Sequence, residues 1–125
     1  MTTVLGFDNV FVEVGDLDEA LAFYTTLGLQ VHKRFDHMAM ALLSVGPETP
    51  GLGVAVVASP RVGGQKIWLE VDDARAAAAE LEAAGIAPMT PPVLIPTGWA
   101  VEVQDPWGNV VGLTDYSARP ELGRR

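Results

Sequence analysis

Two short segments of this chain alternate a polar residue, an aromatic residue and a glutamate, and these residue types could form a ligand site. The two sets are Asn9, Phe11 and Glu13, and Lys66, Trp68 and Glu70. The offset between the sets is constant, because 68 − 11 = 57 and 70 − 13 = 57. Since alternate residues of a β-strand point to one face, each set predicts a face with an aromatic wall and a carboxylate. Such a face can stack a flat compound, attract a cation, or move a proton through its glutamate.

The residues between these positions are aliphatic and predict the opposite, buried face of each strand. They are Val10, Val12 and Val14 in the first segment and Ile67, Leu69 and Val71 in the second. A mixed face opposite an aliphatic one is typical of a ligand cleft, which has apolar walls and a few polar groups. It is also typical of a partly exposed sheet or of a dimer interface, and the residues leave these alternatives open.

The same offset relates the segments that follow each strand. Asp16 and the pair Asp72-Asp73 are candidate helix N-caps, and Gly28 and Gly85 end the two helices, with 85 − 28 = 57. A fixed period of this length indicates a duplicated supersecondary unit. Each copy is predicted to contain a strand, a helix and three further strands. The predicted strands are 6–14, 29–35, 38–45 and 52–58, then 65–71, 86–94, 98–104 and 109–115, with a loop at 46–51 and turns at 36–37 and 105–109.

The chain is predicted to form one α+β domain over residues 1–125, which are enough to bury a single core. Module 1 spans about 4–59 and module 2 about 64–116, joined by a linker at 59–64 that contains Pro and Gly. The tail 117–125 is expected to be frayed. A pseudo-twofold relation between the modules would place a ligand site between their sheets.

Composition argues against several classes of protein. The formal net charge of −8 argues against nucleic-acid binding, which depends on Lys and Arg. The absence of cysteine excludes disulfides and Cys-based zinc sites. No apolar run approaches the roughly 18 residues of a membrane span, and the first residues lack a signal peptide, so we expect a cytoplasmic protein with no membrane partner. An acidic surface attracts cationic small molecules, although it also serves solubility alone.

Two motifs resemble those of a known family. The segment 14–24, Val-Gly-Asp-Leu-Asp-Glu-Ala-Leu-Ala-Phe-Tyr, and the turn Asp105-Pro106-Trp107-Gly108-Asn109 are typical of the vicinal oxygen chelate superfamily. This superfamily includes glyoxalase I, bleomycin resistance proteins and extradiol dioxygenases. The resemblance covers about residues 6–115. It implies two βαβββ modules in tandem, whose curled mixed sheets surround a cleft.

The resemblance also implies four metal-ligand positions, one on the first strand and one on the last strand of each module. They fall on Asn9, Ala55, Lys66 and Gly112, where the family has His, Gln or Glu. Ala55 and Gly112 have no donor atom, and the ammonium of Lys66 repels a divalent ion. Because a catalytic metal needs three protein ligands, the chain resembles a metal-free branch and is expected to use no metal or other cofactor.

The face that carries these positions predicts the ligand-binding residues. They are Asn9, Phe11, Glu13, Ala55, Val57, Lys66, Trp68, Glu70, Trp99 and Gly112. Trp99 either lines the cavity or packs under the second helix. The candidates for proton transfer are Glu13, Glu70 and His37, since carboxylates and imidazoles are the usual acid–base groups.

Two functions from different classes remain open. The first is a binding protein similar to the bleomycin resistance branch, which would sequester an aromatic or cationic compound and so confer antibiotic resistance. The second is an enzyme similar to glyoxalase, a lyase or isomerase, or related to the dioxygenases, with a displaced metal site or metal-free acid–base chemistry. In both cases the partner is a small molecule, and the open sheet face predicts a homodimer.

Overall fold

The computed structural model describes residues 2–3, 5, 8–61 and 66–124. The predictions made for residues 4, 6–7, 62–65 and 125 lie outside the described residues. Contacts divide the chain into two compact units, Met1–Arg61 and Val62–Arg125, and the division falls inside the predicted linker. Each unit has its own sheet, helix and core.

The first unit forms one mixed sheet that is covered on one side by a helix. Its elements are β1 (Val10–Val14), α1 (Leu17–Thr26), β2 (Gln30–Phe35), a 3-10 helix (Asp36–Met38), β3 (Met40–Val45) and β4 (Glu48–Val56). The strand order is β1-β4-β3-β2, with β1 parallel to β4 and the other neighbours antiparallel. Helix α1 contacts β2 and β4 on the covered side, and Phe11 on the opposite side is exposed.

The second unit repeats this arrangement. Its elements are β5 (Ile67–Glu70), α2 (Ala74–Ala83), β6 (Val93–Ile95), β7 (Gly98–Gln104), β8 (Val110–Thr114) and a 3-10 helix (Pro120–Leu122). The strand order is β5-β8-β7-β6, with β5 parallel to β8. The described residues therefore contain the βαβββ order twice, and the predicted α+β fold is confirmed. No helix among them is long and apolar enough to cross a bilayer.

Local sequence explains both helices. The side chains of Asp16 and Asp73 each accept a hydrogen bond from the backbone N–H three residues further on, at 2.8 and 3.0 Å. Each carboxylate thereby satisfies an N–H that has no partner within the helix. Gly28 and Gly85 follow the last turns with φ of +107° and +93°, a conformation that favours glycine. The predicted helix starts and ends are confirmed.

The core of each unit lies between the helix and the covered face of its sheet. In β1, Val12 and Val14 are buried, whereas Phe11 on the alternate face is 45% exposed. Other buried residues of the first unit are Leu17, Ala20, Leu21, Phe23, Tyr24, Ala41, Leu43, Leu52 and Val54. Those of the second unit include Ala74, Ala78, Leu81, Val101, Val103, Val111 and Leu113. The aliphatic stripe of β1 is thus a core face, while Ile67 and Leu69 of β5 are only half-buried.

The hairpin between β3 and β4 is tighter than the sequence predicted. Val45 pairs with Glu48, so only Gly46 and Pro47 form the turn. Gly46 has φ of +55°, which suits the first central position of a two-residue hairpin turn. The predicted loop at 46–51 is therefore wrong, because β4 begins at Glu48 and not at residue 52.

The strand predicted at 86–94 is reduced to the three residues of β6. Pro88, Pro91 and Pro92 precede it, and proline has no N–H to donate to a sheet ladder. Pairing begins at Val93, opposite Ala100 of β7. The prediction of a strand over residues 86–92 is therefore wrong.

The tail folds back on the second unit. The N–H groups of Ala118 and Arg119 donate to the carbonyl of Thr97 at 3.0 and 3.2 Å. The chain then turns through the 3-10 helix Pro120–Leu122. The prediction of a frayed tail is wrong for residues 117–124, because it rested on local composition, whereas the tail is held by hydrogen bonds to the distant loop at Thr97.

Candidate functional site

Each sheet has an open face on the side opposite its helix, and both open faces carry an aromatic ring above a glycine. In the first unit, Phe11 of β1 lies opposite Gly53 of β4. A Cβ atom added to Gly53 would lie 2.7 Å from Cε1 of Phe11, closer than carbon atoms approach in real proteins. The phenyl ring therefore covers the glycine, and 45% of Phe11 remains exposed.

The second unit repeats the arrangement with a larger ring. Trp68 of β5 lies opposite Gly112 of β8. A Cβ atom at Gly112 would overlap the six-membered ring of the indole. Trp68 is nevertheless 48% exposed. Both open faces thus offer a half-exposed ring that rests on a backbone without a side chain.

The register corrects one position inferred from the repeat. The offset between the two aromatic residues is 57, but the offset between the glycines beneath them is 112 − 53 = 59. Gly53, and not Ala55, is therefore the structural counterpart of Gly112. Ala55 lies instead opposite Glu13. A constant offset fails here because the chain from β5 to β8 is two residues longer than the chain from β1 to β4.

Glu13 is held in an ion pair with Arg61. One carboxylate oxygen accepts the backbone N–H of Arg61 at 2.8 Å, and the other accepts from guanidinium Nη2 at 2.8 Å. The guanidinium hydrogen bond, followed by the backbone hydrogen bond, lowers the pKa of Glu13 below its ordinary value against the opposing effect of burial. A lowered pKa makes a carboxylate a weaker base near neutral pH, so this geometry disfavours Glu13 as a general base.

Glu70 is bound in the same manner by Arg124. Oε2 of Glu70 accepts the backbone N–H of Arg124 at 2.8 Å, and Oε1 accepts from guanidinium Nη1 at 3.0 Å. The glutamate side chain is 18% exposed, whereas the arginine side chain is 68% exposed. Both carboxylates predicted at the rim of the site therefore already have a cation beside them.

The two remaining polar residues of the predicted site, Lys66 and Asn9, have different partners. Nζ of Lys66 lies 2.6 Å from Oε2 of Glu102. The two groups form an ion pair, but their relative orientation does not make a hydrogen bond, so the buried Oε2 of Glu102 accepts none among the described residues. The amide nitrogen of Asn9 donates to Asp8 at 2.6 Å, while its oxygen is buried and has no hydrogen-bond partner among the described residues.

The four positions do not fit the divalent metal that the family resemblance implies. Gly112 has no side-chain donor, and neither Ala55 nor Gly53 supplies one. Lys66 is cationic and paired with a carboxylate. Within residues 8–61 and 66–124, no group of three His, Asp or Glu side chains is arranged to hold a metal ion. The single amide of Asn9 is too few donors for a site with three protein ligands.

Trp99 lies on the covered face of the second sheet and not beside Trp68. The guanidinium carbon of Arg75, on α2, lies 4.4 Å from the centroid of the Trp99 ring. Its strand neighbour Ala100 points to the open face, opposite Thr114, so strand alternation turns Trp99 towards the helix. Of the two alternatives for Trp99, packing under the second helix is the one observed, so Trp99 does not share a face with Trp68.

The other predicted residues have peripheral positions. His37 is exposed in the 3-10 helix Asp36–Met38, with its ring centroid 6.4 Å from that of Phe35. Val57 follows the end of β4, and its N–H donates to the carbonyl of Val14 at 3.0 Å. The ring contact of His37 is thus with Phe35 and not with Phe11.

Three charged residues of the site could not be found from the sequence. Arg61, Glu102 and Arg124 lie 48, 36 and 54 residues from their partners. No local pattern marks such pairs, because they depend on how strands and tail return to one another. The sequence signal for them is that two glutamates, Glu13 and Glu70, share the predicted face with a single lysine, since half-buried carboxylates need cations or donors nearby.

Several solved structures have the same fold. A lactoylglutathione lyase from Agrobacterium tumefaciens is 20% identical, with a TM-score of 0.73 over 98% of this chain and 100% of that chain. TioX from Micromonospora sp. ML1 is 21% identical, with a TM-score of 0.72 over 89% of this chain and 98% of that chain. A protein from Sphaerobacter thermophilus DSM 20745, described as a member of the glyoxalase/bleomycin resistance protein/dioxygenase superfamily, is 25% identical, with a TM-score of 0.70 over 90% and 98% of the two chains.

No significant match exists among curated proteins. A family match nevertheless covers both units. Residues 6–113 match the family described as the Glyoxalase/Bleomycin resistance protein/Dioxygenase superfamily. This range includes all eight strands and both α-helices among the described residues, apart from the last residue of β8. The chain therefore belongs to the Glyoxalase/Bleomycin resistance protein/Dioxygenase superfamily.

Proposed function

We propose that this protein binds a flat aromatic small molecule on the half-exposed rings of its open faces and that it does so without a metal. The observation that carries the proposal is the aromatic ring above a glycine, found once in each unit. Phe11 covers Gly53 and Trp68 covers Gly112. At Gly112, where the family resemblance implies a metal-ligating side chain, this chain has the exposed ring of Trp68 instead.

The exposure of the rings supports a role in binding. Large apolar side chains are usually buried, yet Phe11 and Trp68 are 45% and 48% exposed. A flat ligand that stacks on such a ring gains about 0.5–1.5 kcal/mol beyond the burial of its area. The buried amide oxygen of Asn9, which has no hydrogen-bond partner among the described residues, is an acceptor that a donor group could satisfy.

Sequestration, as in the bleomycin resistance branch, is the proposed use of such binding, and it would give resistance if the bound compound were toxic. The alternative is an enzyme of the lyase, isomerase or dioxygenase type. It has less support, because the lowered pKa of Glu13 disfavours a general base there and because the donors implied for a metal are replaced by Gly112 and Lys66.

A matched series of flat probes tests the proposal. Benzamidine, benzamide and benzoate have nearly the same shape and are cationic, neutral and anionic near neutral pH. We expect at least one of them to quench the fluorescence of Trp68, because stacking on the indole changes its emission. The Trp68→Phe variant identifies this signal, since it lacks the fluorescence of that residue. Calorimetry on the same samples gives the affinities. If no probe causes a Trp68-dependent change at millimolar concentration, the proposal is wrong.

A further inference from the structure

The glutamates near the ends of β1 and β5 are each bound by one arginine through two groups. Glu13 accepts the backbone N–H and the guanidinium of Arg61, and Glu70 accepts the same two groups of Arg124. In both pairs the carboxylate is largely covered, with side-chain exposures of 26% and 18%, while the arginines are 89% and 68% exposed. The glutamate is therefore the embedded partner, and the arginine is a surface group that reaches it.

In the second unit the arginine is carried by the tail. The tail is fastened first at Asp115, which is 2% exposed and accepts hydrogen bonds from the N–H and the hydroxyl of Ser117. Further along, Gly123 passes so close to Glu70 that a Cβ atom there would lie 2.8 Å from Oε2. A side chain at position 123 would therefore displace the carboxylate of Glu70 or the side chain of Tyr116 from its observed position. Specific contacts thus place the segment 115–124 on the carboxylate of Glu70.

An open cavity adjoins this contact. It has a volume of about 280 Å³, and its lining includes Glu70, Asp72, Tyr116 and Arg124. This volume is near the lower end of small-molecule sites, roughly 300 Å³. Trp68 stands two residues before Glu70 on the same face of β5, roughly 7 Å away along the strand. A flat ligand on the indole could therefore reach the carboxylate with a charged end.

We propose that Glu70 is the cation-recognition group of the ligand site at Trp68 and that Arg124 occupies it as an internal competitor, to be displaced by a flat amidinium or guanidinium compound. Such a group donates two parallel N–H bonds to a carboxylate, whereas Arg124 donates one bond from its backbone and one from its guanidinium. Exchange costs little, because a largely exposed arginine contributes weakly to an ion pair. The proposal rests on the ligand binding proposed above and adds the chemical class of the ligand and a role for the tail.

Calorimetric titration with benzamidine tests the competition. Arg124→Ala should bind benzamidine about two- to fivefold more tightly than the natural protein, as expected for the loss of a weak competing ion pair. Arg119→Ala is the matched control, because it removes the same charge from the same tail, where Arg119 pairs with Glu121 instead. This control should bind like the natural protein. In the Glu70→Gln background, benzamidine should lose its advantage over benzamide, and Arg124→Ala should have no further effect.

The outcomes separate this inference from the function on which it rests. If benzamidine quenches Trp68 but Arg124→Ala and Arg119→Ala give equal affinities, the competitor role is wrong and the aromatic site stands. If Arg124→Ala weakens binding, the arginine helps to hold the ligand, which also overturns the inference. If no probe binds any variant, the proposed function fails and the inference fails with it.

Discussion

At the scale of single residues, the glycines beneath Phe11 and Trp68 decide what the open faces can hold. Any side chain at Gly112 would occupy the space of the indole ring, since even a Cβ atom overlaps it. A metal-ligating side chain and the observed ring position therefore exclude each other. Glycine at position 112 therefore has two effects: it supplies no metal ligand, and it leaves room for the ring of Trp68.

Gly112→Ala tests this exclusion directly. The added methyl group should push the half-exposed ring of Trp68 further into water, shift its emission to longer wavelength and lower the free energy of unfolding by about 1 kcal/mol. Fluorescence spectra and urea unfolding measure both effects. In the Trp68→Ala background the same substitution should cost nothing, because the clash is removed. An unchanged emission spectrum for Gly112→Ala would show that the ring does not rest on the glycine.

Asp115 has a structural role that its position after β8 did not reveal. Its carboxylate accepts hydrogen bonds from the backbone N–H of Ala74 at 2.8 Å and of Trp99 at 2.9 Å, and from the N–H and hydroxyl of Ser117. Burial by itself raises the pKa of Asp115, but the hydrogen bonds outweigh it and lower the pKa to about 2. The residue joins the start of α2, the start of β7 and the tail.

We expect Asp115→Asn to lower the free energy of unfolding by about 1–3 kcal/mol, since its NH2 group replaces one accepting oxygen and faces a donor. Because the folded pKa lies below that of the unfolded chain, the stabilisation is complete above about pH 4 and is lost as the pH falls towards 2. The natural protein should therefore lose about 2 kcal/mol more than Asp115→Asn over this range. Glu80→Gln, at an exposed position of α2, is the control of equal charge, and equal acid sensitivity of all three proteins would contradict the account.

At the scale of elements, the sequence predicted what depends on near neighbours. The two helices have their N-caps and terminating glycines where the repeat placed them, and the strand faces of β1 follow from alternation. The start of β4, its register against β1 and the length of β6 were missed, because each depends on pairing with a distant strand. For the candidate site, alternation predicted that Phe11 and Trp68 face away from the core, but the arginine partners of the glutamates and the position of Trp99 required the folded chain.

The N-cap of α2 gives a prediction at this scale. Asp73→Ala removes the hydrogen bond to the N–H of Ala76 and should lower the free energy of unfolding by about 1 kcal/mol. Asp73→Asn should keep most of the stability, because an asparagine side chain also accepts this bond. Urea unfolding followed by circular dichroism distinguishes the two variants, and equal losses would mean that the cap does not stabilise the helix.

At the scale of the whole molecule, we expect a homodimer. Exposed apolar side chains mark strands at a sheet edge, with Leu94 and Val93 on β6 at 62% and 54% exposure and Val31 on β2 at 43%. Edges of this kind are prone to association and are usually covered. Light scattering at micromolar concentration should give about twice the chain mass of 13.3 kDa. Leu94→Lys should shift the protein towards the single-chain mass, and a natural protein of 13.3 kDa would contradict the expectation.

The central claim is that this member of the superfamily binds its ligand through aromatic rings and not through a metal. Benzamidine titration of protein dialysed against EDTA, read by the fluorescence that depends on Trp68, tests it most directly. We predict the same affinity before and after dialysis, and no increase when zinc or nickel is added back. Binding that disappears on dialysis and returns with the metal would contradict the account.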